Sequence, residues 1–272
     1  MIKKILFLCM TLMILLMPKG PVEAAGITAY EKFISPAYWT KHNADGDKVV
    51  LNAAGVEAFN KKIIAASPTV YDMAAYPKTL SGKTVTAYVN THTDLSDELY
   101  REGKLVSDNY KNILRSQTNA AAIPAEVTVR YGVTVRRANL RNLPTGEGLF
   151  FYASDRNFDA LQETALDPGE AVAILHTSTN GYFYYVQAYN YRGWLSKFDV
   201  AETDRSTWLR YAEPKNFLTV VAKDYTLKAD GAQVLFQQGA RLQLADKKAS
   251  AYTVKVPVRT KEGKLQEEKV VL

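Results

Sequence analysis

AVAILHTSTNGYFYYVQAYNYRGWL, residues 171–195, decides how this chain is read. Two apolar runs, Ala171 to Leu175 and Tyr182 to Ala188, flank Asn180-Gly181, and an Asn-Gly pair between alternating runs is a strong hairpin signal. In the second run Tyr182, Tyr184 and Val186 point one way and Phe183, Tyr185 and Gln187 the other, because side chains alternate along a strand. One face fills a core and the other offers aromatic surface. Outward from this hairpin, Val133-Thr134-Val135 and Leu140 to Thr145 precede a long polar loop, and Gly193-Trp194-Leu195 leads to a close at Ala201. Short runs broken by turn residues predict a small β-barrel rather than a catalytic domain.

Beyond Ala201, Asp204 to Glu213 reads as a polar and aromatic linker holding Trp208 and Tyr211. Asp230-Gly231 and Glu262-Gly263 then punctuate strand runs Tyr225 to Lys228, Ala232 to Phe236, Tyr252 to Val258 and Leu265 to Leu272, which predicts a second barrel. Upstream the reading is mixed. Asn52 caps a helix with Val56, Phe59, Ile63 and Ile64 on one face and Pro68 beyond it. Further helices are predicted over Ser96 to Gly103 and Asp108 to Gln117, the latter burying Tyr110, Ile113 and Leu114. Lys83 to Val89 alternates as a strand does, and Thr118 to Pro124 is the expected boundary into the first barrel. The fold class is therefore mainly β with a mixed α/β N-terminal segment, divided at residues 1–24, 25–124, 125–203 and 204–272.

Lys3 and Lys4, an apolar run from Ile5 to Met17 and the small residues before Ala25 have the layout of a secretory signal peptide. The run is short for a membrane span, which needs roughly 20 apolar residues; a retained anchor is the competing reading. Removal of 24 residues leaves 248 of the 272, takes away the single cysteine, Cys9, and lowers the formal charge from +6 to +4. No thiolate nucleophile and no disulfide remain in such an exported chain, which is expected in the periplasm, cell wall or extracellular space. A modest positive balance favours weak, salt-sensitive contact with anionic wall polymers, or serves solubility alone. No basic run with interleaved aromatics suggests a nucleic-acid partner.

Tyr131-Gly132-Val133, Arg137, Leu140-Arg141, Pro144-Thr145, Gln162-Glu163-Thr164, Pro168-Gly169-Glu170, Ile174 to Ser178 and Gly193-Trp194 resemble the bacterial SH3-like domains attached to NlpC-type cell-wall cysteine peptidases, the gamma-D-glutamyl-L-diamino acid endopeptidases. Tyr38-Trp39, Leu51, Phe59-Asn60, Asp72 and Tyr100 are similar to the N-terminal clip segment of the same enzymes, and Gln238 to Leu242 with Tyr252 to Arg259 to their second SH3-like domain. The resemblance implies two SH3-like barrels and the non-catalytic front of such a peptidase. Its papain-like domain, with nucleophilic cysteine and base histidine, is expected to be missing, since Val270-Val271-Leu272 falls where the second barrel should end.

Other chemistry is weak. Asn43 to Asp47 clusters side-chain oxygens around Gly46, but the register of a calcium loop puts Lys41 at the first ligand position, so a polar turn is expected. His42, His92 and His176 are dispersed, and neither a metal site nor a cofactor is expected. Serine-nucleophile and phosphate-loop signatures are missing, and the scattered carboxylates do not announce a glycosidase pair. The best binding material is aromatic: Tyr152, Phe158, Tyr182, Tyr184, Tyr189, Tyr191 and Trp194, about half of which serve the core. The resemblance makes the loop Gly146 to Gln162 a cleft wall, where Asp155, Asp159 and Gln162 meet an amine or amide of a stem peptide or stay solvated. Tyr152, Asp159, Gln162, Tyr182 and Tyr189 are the predicted peptide contacts, with no catalytic residue. The expected function is an exported, non-catalytic wall module that binds peptidoglycan peptides or positions a partner. Two alternatives stand beside it: the targeting and substrate-gating front of a peptidase whose catalytic domain is encoded separately, and an adhesin for a host protein.

Overall fold

The computed structural model describes residues 25–272 except His92, and of residues 25–29 only the backbone. The expected signal peptide lies outside these residues. Two compact units divide at Phe59/Asn60. In the first, helices α1 (Ala25–Ile34) and α2 (Pro36–His42) gather Tyr30, Phe33, Tyr38 and Trp39 into an aromatic cluster, pinned where Trp39 Nε1 donates to the Phe33 carbonyl at 2.7 Å. Residues 43–47 form the expected polar turn, with Asn43 Oδ1 accepting from the Asp45 amide at 3.2 Å. Helix α3 (Ala53–Ala66) starts where predicted, Asn52 Oδ1 accepting from the Gly55 amide at 2.8 Å. It buries none of its residues.

In the second unit β1 (Thr79–Ser81) leads into helix α4 (Gly82–Asn90), which corrects the strand expected over Lys83 to Val89. Val85 and Val89 satisfy a period of two but are also four apart, so on a helix they share one face. Both are buried there, whereas Ala87 is exposed. Ser81 Oγ caps the helix, accepting from the Thr84 amide at 3.1 Å. Gly82 is forced by proximity: a Cβ would stand 1.9 Å from the Pro124 carbonyl oxygen.

The helix expected over Ser96 to Gly103 is instead a loop and a two-residue hairpin, β2 (Tyr100–Arg101) with β3 (Lys104–Leu105). Glu102 and Gly103 both take positive φ, 52° and 81°, which a helix does not allow. Leu95 and Leu99 turn into a core with Leu143, Leu149 and Leu161. Helix α5 (Asp108–Ser116) forms as predicted behind its Ser107 cap, but Ile113 is exposed while Leu114 is buried.

The strands β4 (Glu126–Thr128), β5 (Arg130–Thr134), β6 (Ala138–Arg141), β7 (Gln162–Leu166), β8 (Ala171–Thr177), β9 (Phe183–Gln187), β10 (Arg192–Ser196) and β11 (Val200–Thr203) follow. β4 pairs with β1, and the others form one antiparallel sheet ordered β11-β5-β8-β9-β10-β6-β7. The β8–β9 connection is the hairpin read from Asn180-Gly181, with Gly181 at φ 70° and Asn180 Oδ1 accepting from Ser178 Oγ at 2.8 Å. The side chains alternate, but both faces pack into cores, which corrects the expectation that one face of β9 is left as aromatic surface: Val186 joins one core with Leu140 and Ile174, and Tyr185 joins another with Val85, Trp194 and Trp208.

Trp208 belongs not to a linker but to helix α6 (Arg205–Ala212), capped by Asp204, whose carboxylate accepts from the Thr207 amide at 3.0 Å. The indole is fully buried and donates to the Val172 carbonyl at 3.1 Å. A polar composition hid an amphipathic turn pattern, Trp208 and Tyr211, three apart and facing inward.

The remaining strands are β12 (Phe217–Thr219), β13 (Asp224–Ala229), β14 (Ala232–Gln237), β15 (Arg241–Lys248), β16 (Ala251–Arg259) and β17 (Leu265–Val271). They form a sheet ordered β12-β15-β16-β17 and the hairpin β13-β14, which share a core around Phe236, Leu242, Val254 and Val256. Asp230-Gly231, at φ 49° and 72°, makes the predicted tight turn. The protein is mainly β, as its sequence indicated. No described helix is long and apolar enough to cross a membrane.

Candidate binding surfaces

The loop from β6 to β7 is held from beneath. Asp159 Oδ2 lies 2.7 Å from Arg141 Nη1, and Oδ1 accepts the amides of Leu149 and Leu161 at 3.1 and 3.0 Å. Arg141 is buried and also donates from Nη2 to the Glu147 carbonyl at 2.6 Å. Asp159, predicted to meet a ligand amine, therefore has both oxygens committed to folding its own loop. Asp155 likewise serves its own loop, accepting the Asn157 and Phe158 amides at 2.8 and 3.3 Å, and these hydrogen bonds hold its pKa below the usual value. Glu147 is taken by Arg101, at 2.7 Å, and by the Tyr110 hydroxyl, which lowers its pKa. What the anchored loop presents is aromatic: Phe151, Tyr152 and Phe158, all exposed, beside exposed Gln162.

Tyr182 stands exposed at the start of β9, its ring 6.0 Å from that of Phe198 and 5.2 Å from Lys197 Nζ. Tyr189 is exposed beyond the other end of the strand. At about 3.3 Å per residue the seven steps from Tyr182 to Tyr189 cover up to about 23 Å. The predicted contacts therefore divide into a loop group and two strand ends rather than one constellation. Trp194 and Tyr185 are core residues, and Tyr184 is tied to Glu202 Oε1 at 2.8 Å.

A cavity of about 520 Å³ opens near the Tyr189 end, lined by Tyr88, Glu163, Tyr185, Gln187, Tyr191 and Arg192 with Thr69, Thr91 and Asn190. The Arg192 guanidinium lies over the Tyr88 ring, 3.3 Å from its centroid. It donates from Nε to Gln187 Oε1 at 2.6 Å and from Nη2 to the Tyr71 hydroxyl at 2.9 Å. The Tyr185 hydroxyl donates to the Tyr88 carbonyl at 2.7 Å. Burial pushes the phenols of Tyr76, Tyr88 and Tyr185 up from their ordinary pKa, so all three are neutral at physiological pH. The sequence reading missed this site, because Tyr71, Tyr88 and Arg192 are distant along the chain and follow no shared period. The only local signal was an arginine following the aromatic run Tyr189 to Tyr191. Among the described residues no group of three His, Cys, Asp or Glu side chains is placed to hold a metal.

The exposed aromatic tip of the loop and the strands β7 to β10 are the part of the chain that matches a known family. Residues 149–196 match the SH3 domain (SH3b1 type). An SH3-like domain thus lies within the seven-stranded sheet, covering Tyr152, Asp159, Gln162, Tyr182 and Tyr189. Among solved structures the chain resembles an NlpC/P60 endopeptidase from Photobacterium damselae subsp. piscicida, with a TM-score of 0.63 over 82% of this chain at 19% identity. At that identity the likeness is one of fold. The chain spans about half, 52%, of that structure's length. No curated protein matches it in sequence.

Proposed function

We propose that this protein is an exported, non-catalytic module of the bacterial cell wall that binds peptidoglycan peptides or positions a partner on them. The observation that carries the reading is the SH3b1-type match over the same 149–196 segment that holds the exposed Tyr152, Phe158, Tyr182 and Tyr189. Exposed aromatic faces with hydroxyl tips suit peptide and glycan contact, since they supply apolar area and a hydrogen bond at little entropic cost. Asp159 serves this surface indirectly, by fixing the loop that bears Tyr152 and Phe158. The test is fluorescence anisotropy with labelled stem peptides. Saturable binding weakened at least several-fold by Tyr152→Ala or Tyr182→Ala supports the reading, and equal weak binding by all variants rejects it.

A second reading is supported by the likeness in fold to an NlpC/P60 endopeptidase: these residues are the targeting and substrate-gating front part of an NlpC-type endopeptidase whose catalytic domain is missing from them or separately encoded. In that case addition of a partner catalytic domain to the protein yields stem-peptide cleavage that neither gives alone. An export route through the N-terminal leader belongs to both readings, and signal-peptidase processing after Ala24 checks it.

A further inference from the structure

Arg192 is partly buried, yet among the described residues it has no carboxylate partner. Of its five N–H donors, one on Nε goes to Gln187 and one on Nη2 to Tyr71, leaving both donors of Nη1 and one of Nη2. Stacking on Tyr88 fixes the plane of the guanidinium. A cation partly withdrawn from water and held by neutral groups carries part of the desolvation cost of its charge, which a bound anion offsets. Its planar fork matches a carboxylate.

We propose that the cavity beside Arg192 binds the carboxylate of a short peptide. Glu163, the one acid of the lining, makes no ion pair with Arg192, and its negative charge disfavours a phosphate dianion more strongly than a carboxylate monoanion. Asn190 supplies an amide, the hydroxyls of Thr69 and Thr91, which already pair with Ser67 Oγ and the Ala87 carbonyl, keep acceptor capacity for peptide N–H groups, and Tyr191 gives an aromatic wall. The volume, about 520 Å³, lies in the range of ordinary small-ligand sites, roughly 300–1,000 Å³. The inference deepens the wall-peptide reading by naming the group recognised, but it stands on the cavity and does not require the peptide to come from a wall.

The test is calorimetric titration of the full chain with N-acetyl-Ala-Ala, with its C-terminal amide, and with inorganic phosphate. The free carboxylate is expected to bind at least ten-fold more tightly than either of the others. Arg192→Gln removes that preference, and Arg192→Lys, which keeps the charge but not the fork, loses about half of it on a logarithmic scale. Circular-dichroism melts of both variants establish that they fold, and Arg192→Lys carries the test if Arg192→Gln does not. Equal binding of acid and amide, no binding of the acid, or an undiminished preference in a folded Arg192 variant overturns the proposal. Failure to bind sacculi with the acid preference intact rejects the wall assignment alone.

Discussion

Replacing Asp159 by alanine tests whether the aromatic loop is built on a buried ion pair. The Arg141 side chain is only 6% exposed and that of Asp159 16%, with a 2.7 Å separation. Alanine strands the guanidinium, whose Nε already has no partner, and frees the amides of Leu149 and Leu161. Breaking one half of a buried pair costs about 3–5 kcal/mol, against roughly 0–1 for an exposed pair. With a urea slope of about 2–3 kcal/mol/M, the unfolding midpoint should fall by about 1–2.5 M. The double replacement Arg141→Met/Asp159→Leu removes both charges and should cost less than Asp159→Ala alone. A loss below about 1 kcal/mol for Asp159→Ala, or a double variant less stable than the single one, would refute this account of the loop.

Three further outcomes are expected. Trp208→Ala empties a fully buried site and breaks the bond to the Val172 carbonyl, so chemical denaturation should register a loss of about 3–5 kcal/mol. Gly193→Ala places a Cβ 2.6 Å from both the Arg141 carbonyl oxygen and Leu140 Cδ2, and thermal unfolding should report overpacking of about 1–3 kcal/mol or more. Burial lowers the pKa of His176 from 6.5 in the folded protein, although its Nε2 lies 3.0 Å from the Asn119 carbonyl oxygen. The unfolded chain therefore takes up the proton more readily, and the stability due to the neutral ring is complete above about pH 6.5 and lost as pH falls through the folded value. Between pH 7.5 and 5 the urea midpoint should fall further in the native protein than in His176→Gln.

The strands and turns of the two β regions were legible because their signals are local. Asn180-Gly181 and Asp230-Gly231 place left-handed residues between runs that alternate, and such pairs specify hairpins with little help from the rest of the chain. Helix α4 was misread because Val85 and Val89 fit either period; what decides is the sheet they cover, and that contact is distant in sequence. The same holds for Ser96 to Gly103, where packing of Leu95 and Leu99 against Leu143 and Leu149 outweighs local helix preference. Of the candidate contacts, Tyr152, Tyr182 and Tyr189 are exposed, while the task of Asp159 depends on Arg141 across the loop. The Arg192 cavity was out of reach, since it exists only after residues near 70, 88 and 190 meet.

Co-sedimentation with purified peptidoglycan sacculi across a salt series, with released muropeptides followed in the same tubes, tests the central claim most directly. A specific wall module pellets with sacculi at moderate salt, releases nothing, and loses retention when Tyr152 and Tyr182 are replaced. Failure to pellet at moderate salt, or muropeptide release by the protein alone, would contradict it.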